Sequence, residues 1–110
     1  MEIRIDGDCA KAHHHPSELA EGAPGLLHGG YAAWLVDCMC GLLVEEKGGS
    51  APRTASLTLN YRAPTPIGSE LLLRSAIEQR EGRKLWVTAT IEAEGVVTVE
   101  ARGLFITRQD

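Results

Sequence analysis

Asp37 is the one charged residue in a run of apolar and small residues from Tyr31 to Val44. A carboxylate in apolar surroundings is expensive to keep without partners, and folded chains rarely keep one without a use. Its chemistry would be that of a general base or a nucleophile. An aspartate at a solvated helix surface, or one capping a neighbouring element, would be ordinary, and the pattern alone leaves both readings open. Nine residues earlier stands His28-Gly29-Gly30. Two glycines at a helix start leave backbone N–H groups open to a ligand, and the helix dipole there favours negative charge. An oxyanion hole needs donors of this kind, where a carbonyl oxygen gains charge in a transition state. Plain loop-to-helix geometry uses Gly-Gly as well, and His28 could be a structural histidine.

Spacing constrains how these groups act together. Gly29 and Asp37 are eight residues apart, which is about 12 Å along a helix. One small carbonyl cannot touch both within one chain. If both act on it, they come from different subunits, and the expected molecule is a homodimer at least, with sites across its interface. A tetramer is left open.

Composition bounds the setting. A chain of 110 residues is expected to form a single domain, 1–110. With 44% hydrophobic residues it can build a core. The net charge of −4 and the lack of a basic run argue against nucleic acid as partner. Cys9, Cys38 and Cys40 are an odd number, which fits a reduced compartment better than a disulfide framework. On a helix Cys38 and Cys40 would point about 200° apart, so no metal site is expected from them. The N-terminus lacks the apolar core of a signal peptide. The Tyr31–Val44 run is too short to span a bilayer and contains Asp37. A soluble, cytoplasmic protein without membrane contact is the expectation.

The elements that must position these residues are legible as patterns. Glu2 to Ile5 and Cys9 to Ala12 alternate around a turn at Asp6-Gly7, and residues 16–25 read as a loop. His13-His14-His15 reads as the exposed end of a strand, because alternating side chains do not converge on one ion. From about His28 to Lys47 runs the one convincing helix, apolar on almost every side and therefore buried; Gly48 to Pro52 ends it. Thr54 to Tyr61, Glu70 to Gln79, Leu85 to Ala93 and Val96 to Thr107 read as strands, with turns at Glu81-Gly82-Arg83 and Glu94-Gly95. Strands joined by such short turns are antiparallel neighbours. This is an α+β chain: one buried helix wrapped by a curved antiparallel sheet. A single sheet covers only part of such a helix, and a second copy of the chain is the simplest cover for the rest.

Four stretches together resemble a known family. They are Glu21-Gly22-Ala23-Pro24-Gly25-Leu26-Leu27-His28-Gly29-Gly30 with Asp37, the strand Leu57-Thr58-Leu59-Asn60-Tyr61-Arg62-Ala63-Pro64, Glu81-Gly82-Arg83-Lys84, and Gly103-Leu104-Phe105-Ile106. The set resembles the hot-dog-fold acyl-CoA thioesterases, in the branch of the phenylacetate-pathway and 4-hydroxybenzoyl-CoA enzymes, over about residues 20–108. The resemblance implies hydrolysis of an aryl- or medium-chain acyl-CoA to acid and coenzyme A, with no cofactor, since coenzyme A is part of the substrate. It implies Asp37 as general base or nucleophile and the Gly29 N–H as carbonyl donor. His28 would shape the carbonyl-binding end, and Thr54 would help place the attacking water.

Further roles follow from the resemblance. Gly30, Tyr31, Trp34, Asn60, Arg62, Arg83 and Lys84 are expected on the substrate. The cations among them, with Arg53, are candidates for coenzyme A phosphates, because guanidinium groups bind phosphate well. Tyr31 and Trp34 could equally be core. Gly22 lies near a position where some relatives carry Asn or Gln, so that role is empty or filled by His28, and the stretch before the first strand is shorter than in many relatives. A non-catalytic acyl-CoA sensor of the same fold is the alternative function, and a hot-dog hydratase the third.

Overall fold

The computed structural model describes residues 2–47 and 50–108. Six strands form one antiparallel sheet in the order β1 (Glu2–Asp6), β2 (Cys9–His14), β4 (Leu71–Glu81), β5 (Lys84–Ala93), β6 (Val96–Arg108), β3 (Ser50–Tyr61). β1 (Glu2–Asp6) and β2 (Cys9–His14) form the expected hairpin, with Asp6 opposite Cys9 and Gly7 at φ +60° in the turn. A short 3-10 turn at Glu18–Ala20 leads to α1 (Gly29–Lys47). β3 (Ser50–Tyr61) then runs along the far edge of the sheet. β4 (Leu71–Glu81), β5 (Lys84–Ala93) and β6 (Val96–Arg108) form the central meander.

Period-two burial on β5 and β6 turns Leu85, Val87, Ala89, Ile91, Val99 and Phe105 toward α1. The helix answers with Leu35, Val36, Met39, Cys40, Leu43 and Val44, all buried. Gly103 is required within this packing. A Cβ there would meet the Phe105 ring at 2.8 Å and Leu57 at 3.2 Å. Among the described residues, nothing covers the opposite side of α1. Trp34 (56% exposed) and Leu42 are open on it, and Asp37, Cys38 and Gly41 are partly open. The helix is therefore buried on one side within the chain, not on all sides.

Three expectations shift. β3 begins at Ser50 rather than Thr54, and it tolerates Pro52 because an edge strand needs ladder bonds on one side only. β4 runs Leu71–Glu81 rather than Glu70–Gln79. His14 is not simply a solvated strand end. Its Nε2 lies 2.8 Å from the Tyr31 hydroxyl, in a partly buried pair with stacked rings. Gly48 and Gly49, expected to help end the helix, lie outside the described residues. Among the described residues, no helix is long and apolar enough to cross a membrane.

Candidate active site

Three clefts take in Asp37, Thr54, Gly29, Arg53, Arg62 and Arg83, while the other expected site residues, His28, Gly30, Tyr31, Trp34, Asn60 and Lys84, line none of the three. Asp37 sits in the middle of α1 on its uncovered side. Beside it, β3 presents Thr54, whose hydroxyl donates to Asp37 Oδ1 at 2.6 Å. Both side chains open into a cleft of about 420 Å3 lined also by Cys38, Gly41, Pro52 and Phe105. The Thr54 proton is committed to Oδ1, which leaves Oδ2 and the Thr54 lone pairs facing whatever enters. Neither nearby thiol competes as a nucleophile. Burial, and then the Asp37 charge, push Cys38 up and Cys40 up to about 12. Cys40 is buried against the sheet while Cys38 lines the cleft, so the two diverge as the helix period requires.

The second cleft, about 340 Å3, lies at the start of α1 and is lined by Gly29, Ala32, Leu27, Tyr61, Arg62 and Pro64 among others. Here the backbone is clamped at several points. His28 caps the helix: its Nδ1 accepts from the Gly30 N–H at 2.9 Å. Tyr61 donates from its hydroxyl to the Gly29 carbonyl at 2.8 Å. The Gly29–Gly30 peptide is therefore held at both ends. The preceding peptide is held by the His28 carbonyl, which accepts from the Ala32 N–H at 3.0 Å. Because the peptide is trans and planar, its N–H on Gly29 points the other way, out of the helix start. Among the described residues that N–H has no partner. Since His28 Nδ1 accepts, the neutral ring carries its proton on Nε2.

Both neighbouring glycines have steric reasons. A Cβ on Gly30 would stand 3.0–3.1 Å from the His28 ring, and one on Gly22 would stand 2.9 Å from His28 Cα. Gly30 lets the ring swing back onto the helix. Gly22 backs directly onto His28, so no amide side chain can stand at that position. The expectation that Gly30 touches substrate is revised at the backbone level, because its N–H is already taken by His28.

The third cleft, about 500 Å3, adjoins the first through the shared residues Ala51 and Pro52 and is lined by Arg53, Arg83 and Arg108. The β4–β5 turn delivers Arg83, and the Thr107 N–H holds that turn by donating to the Arg83 carbonyl at 2.9 Å. Lys84 follows on β5 and is exposed. Arg62 belongs elsewhere: it pairs with Glu100 at 2.9 Å beside the Gly29 cleft. Asn60 is exposed on β3 opposite Glu100. Tyr31 and Trp34 pack with ring centroids 5.6 Å apart, Tyr31 half-buried and Trp34 open. Sequence reasoning missed Tyr61 and Arg108. Tyr61 stands within the quoted Asn60-Tyr61-Arg62 run, but its reach to Gly29 depends on β3 returning along the helix.

One helix lying on a six-stranded antiparallel sheet, with this helix start, is the hot-dog fold. A model of the thioesterase superfamily matches residues 24–102, and the chain belongs to that superfamily. Among its relatives, the acyl-coenzyme A thioesterase THEM4 of Bos taurus is 38% identical over 88 residues, covering 78% of this chain and 35% of that protein. The mouse protein of the same name is 36% identical over 88 residues, covering 78% of this chain and 37% of its own length. This chain thus spans little more than a third of the curated relatives it matches. A thioesterase superfamily protein from Shewanella loihica superposes with TM-score 0.82 at 27% identity, over 98% of this chain and 90% of that one. A hypothetical thioesterase protein from Streptococcus pneumoniae, solved with coenzyme A, superposes with TM-score 0.90 at 19% identity, over 99% and 86%, which is a likeness of fold.

Proposed function

We propose that the chain, as a single domain spanning 1–110, hydrolyses an aryl- or medium-chain acyl-CoA to the free acid and coenzyme A. The observation that carries this reading is the Thr54 hydroxyl donating to Asp37 at 2.6 Å in an open cleft. A pure binder has no need of a carboxylate oriented by a hydroxyl. In the hydrolysis, water donates one hydrogen bond to Asp37 Oδ2 and another to Thr54 Oγ1, and Asp37 takes its proton as the oxygen attacks the thioester carbon. Direct attack by the carboxylate is the other form of the same reading. The unpaired Gly29 N–H stabilises the oxyanion, and His28, which fixes the adjoining peptide through the Gly30 N–H, shapes that end of the site. The C–S bond then breaks, the thiolate takes the proton held by Asp37, and coenzyme A leaves as the thiol with the carboxylate restored. No cofactor takes part.

The Asp37 and Gly29 clefts share no lining residue, which supports a site built from two protomers. The uncovered side of α1 and the long edge strand β3 supply the surface for a homodimer at least. Substrate would then lie between Asp37 of one protomer and Gly29 of its partner, with Tyr31 and Trp34 available to the acyl group. The Arg53, Arg83 and Arg108 cleft adjoins Asp37, so the phosphates would rest on the protomer that supplies the carboxylate. The three free thiols suit a cytoplasmic setting.

The test is release of free thiol from a panel of acyl-CoAs. Asp37→Asn is expected to lower turnover by about 10²–10⁴-fold with its melting temperature unchanged. Full activity in that variant would remove Asp37 from the reaction. Arg83→Gln is expected to raise KM for an acyl-CoA severalfold while leaving kcat alone. It should leave KM unchanged for the same acyl group on N-acetylcysteamine, which has no phosphates.

A further inference from the structure

The outer face of the sheet, turned away from α1, carries a trough that hydrolysis does not use. It opens over β1, β2, β4 and β5 with a volume of about 480 Å3 and shares no lining residue with the Asp37, Gly29 or arginine clefts. Register places Arg4 opposite Lys11 and Lys11 opposite Arg74, so three exposed cations stand side by side across three strands. Like charges directly opposite one another destabilise a sheet. In a chain of net charge −4 such a row is not a by-product of general basicity. Arg62, Arg80 and Arg102 are each held by a carboxylate. Among the described residues Arg4, Lys11 and Arg74 have no such partner. The adjacent row is small and largely apolar: Cys9, Ala76 and Thr88 are successive register partners.

We infer that this trough binds an amphiphilic carboxylate, its anionic head along Arg4, Lys11 and Arg74 and its apolar body over Cys9, Ala76 and Thr88. Guanidinium groups pair with carboxylates in a bidentate way, and occupancy would relieve the repulsion within the row. The volume lies within the range of small-molecule sites, about 300–1,000 Å3. A nucleotide suits the trough less well. Among the described residues no aromatic side chain lines it for a base to stack on, and Asp6 at its end repels a polyanion. A second copy of the chain suits it less well too, because a two-fold contact centred here would set the cations of one copy against those of the other. Free acids are the products of the proposed hydrolysis, but the binding stands without that reaction.

The experiment is a titration of the isotope-labelled full chain with decanoate, with decyltrimethylammonium as the cation of matched length. Decanoate is expected to shift the amide signals of residues 9–11, 74–76 and 88–90 to saturation, and the cation to leave them in place. Lys11→Gln combined with Arg74→Gln should weaken decanoate at least tenfold. The same variant should melt no lower than the parent and keep its acyl-CoA turnover; if it does not fold, Lys11→Gln alone is read in the same way. Decanoate shifts confined to the Asp37 or Gly29 clefts would overturn the inference, as would equal shifts from the cation. So would a double variant that binds decanoate unchanged, or one whose only change is a lower mass in light scattering, which would make the face an interface between copies. Trough binding in a protein that hydrolyses no acyl-CoA would sink the hydrolase reading and leave this one standing.

Discussion

At the scale of single residues, the Asp37–Thr54 pair separates an oriented carboxylate from a solvated one. A hydrogen bond to a charged group contributes about 1.5–3 kcal/mol, more than the neutral kind. Thr54→Val keeps the shape and removes the donor. It is expected to lower kcat by roughly tenfold, the equivalent of about 1.4 kcal/mol, with little change in KM. Steady-state kinetics on one acyl-CoA checks this, and an unchanged kcat would reduce Thr54 to an ordinary strand residue. His14 sets a different expectation. Burial holds its pKa below the usual 6.5, with the N-terminal amine and His15 adding to the effect. The unfolded chain therefore binds a proton before the folded one does. The stability linked to His14 is complete above pH 6.5 and is lost as pH falls through the folded value. The melting temperature should drop on acidification below pH 6.5, and His14→Gln should flatten that drop. A drop of the same size in the variant would assign the acid sensitivity to other groups.

At the scale of elements, α1 carries both Asp37 and Gly29, the two halves of the proposed site, and its packing fixes where they point. Leu35 is fully buried two residues before Asp37. Leu35→Ala is expected to lower stability by about 2–5 kcal/mol in denaturant unfolding, and to impair turnover through Asp37. A loss below 1 kcal/mol would mean that the sheet side of the helix is not the core described here. The helix, the hairpins and the antiparallel meander were legible because local turns and period-two alternation determine them. The strand order was not: β3 precedes β4 in the chain yet lies at the far edge beside β6. Nothing local in residues 62–70 encodes that crossing. The same non-local placement hid the bond from Tyr61 to Gly29. Asp37, Gly29, His28 and Thr54 could be put forward as candidates from residue type and resemblance. The capping bond that takes the Gly30 N–H depends on a side-chain rotamer and could not.

At the scale of the whole molecule, the account rests on a site shared between protomers. α1 keeps Asp37 and the Gly29 N–H about 12 Å apart, in clefts with no common wall, so on the proposed reading the folded chain by itself would hold two half-sites. The direct measurement mixes two inactive variants. Gly29→Pro removes one N–H at a helix position that accepts proline and is expected to lower kcat by about 10²–10³-fold. Asp37→Asn removes the carboxylate. Unfolded together and refolded in equal amounts, they would form heterodimers with one intact site each. With statistical pairing, turnover should recover to about a quarter of the parent's. Turnover that stays at the sum of the two separate variants, in a sample shown to contain mixed dimers, would contradict a site built from two chains.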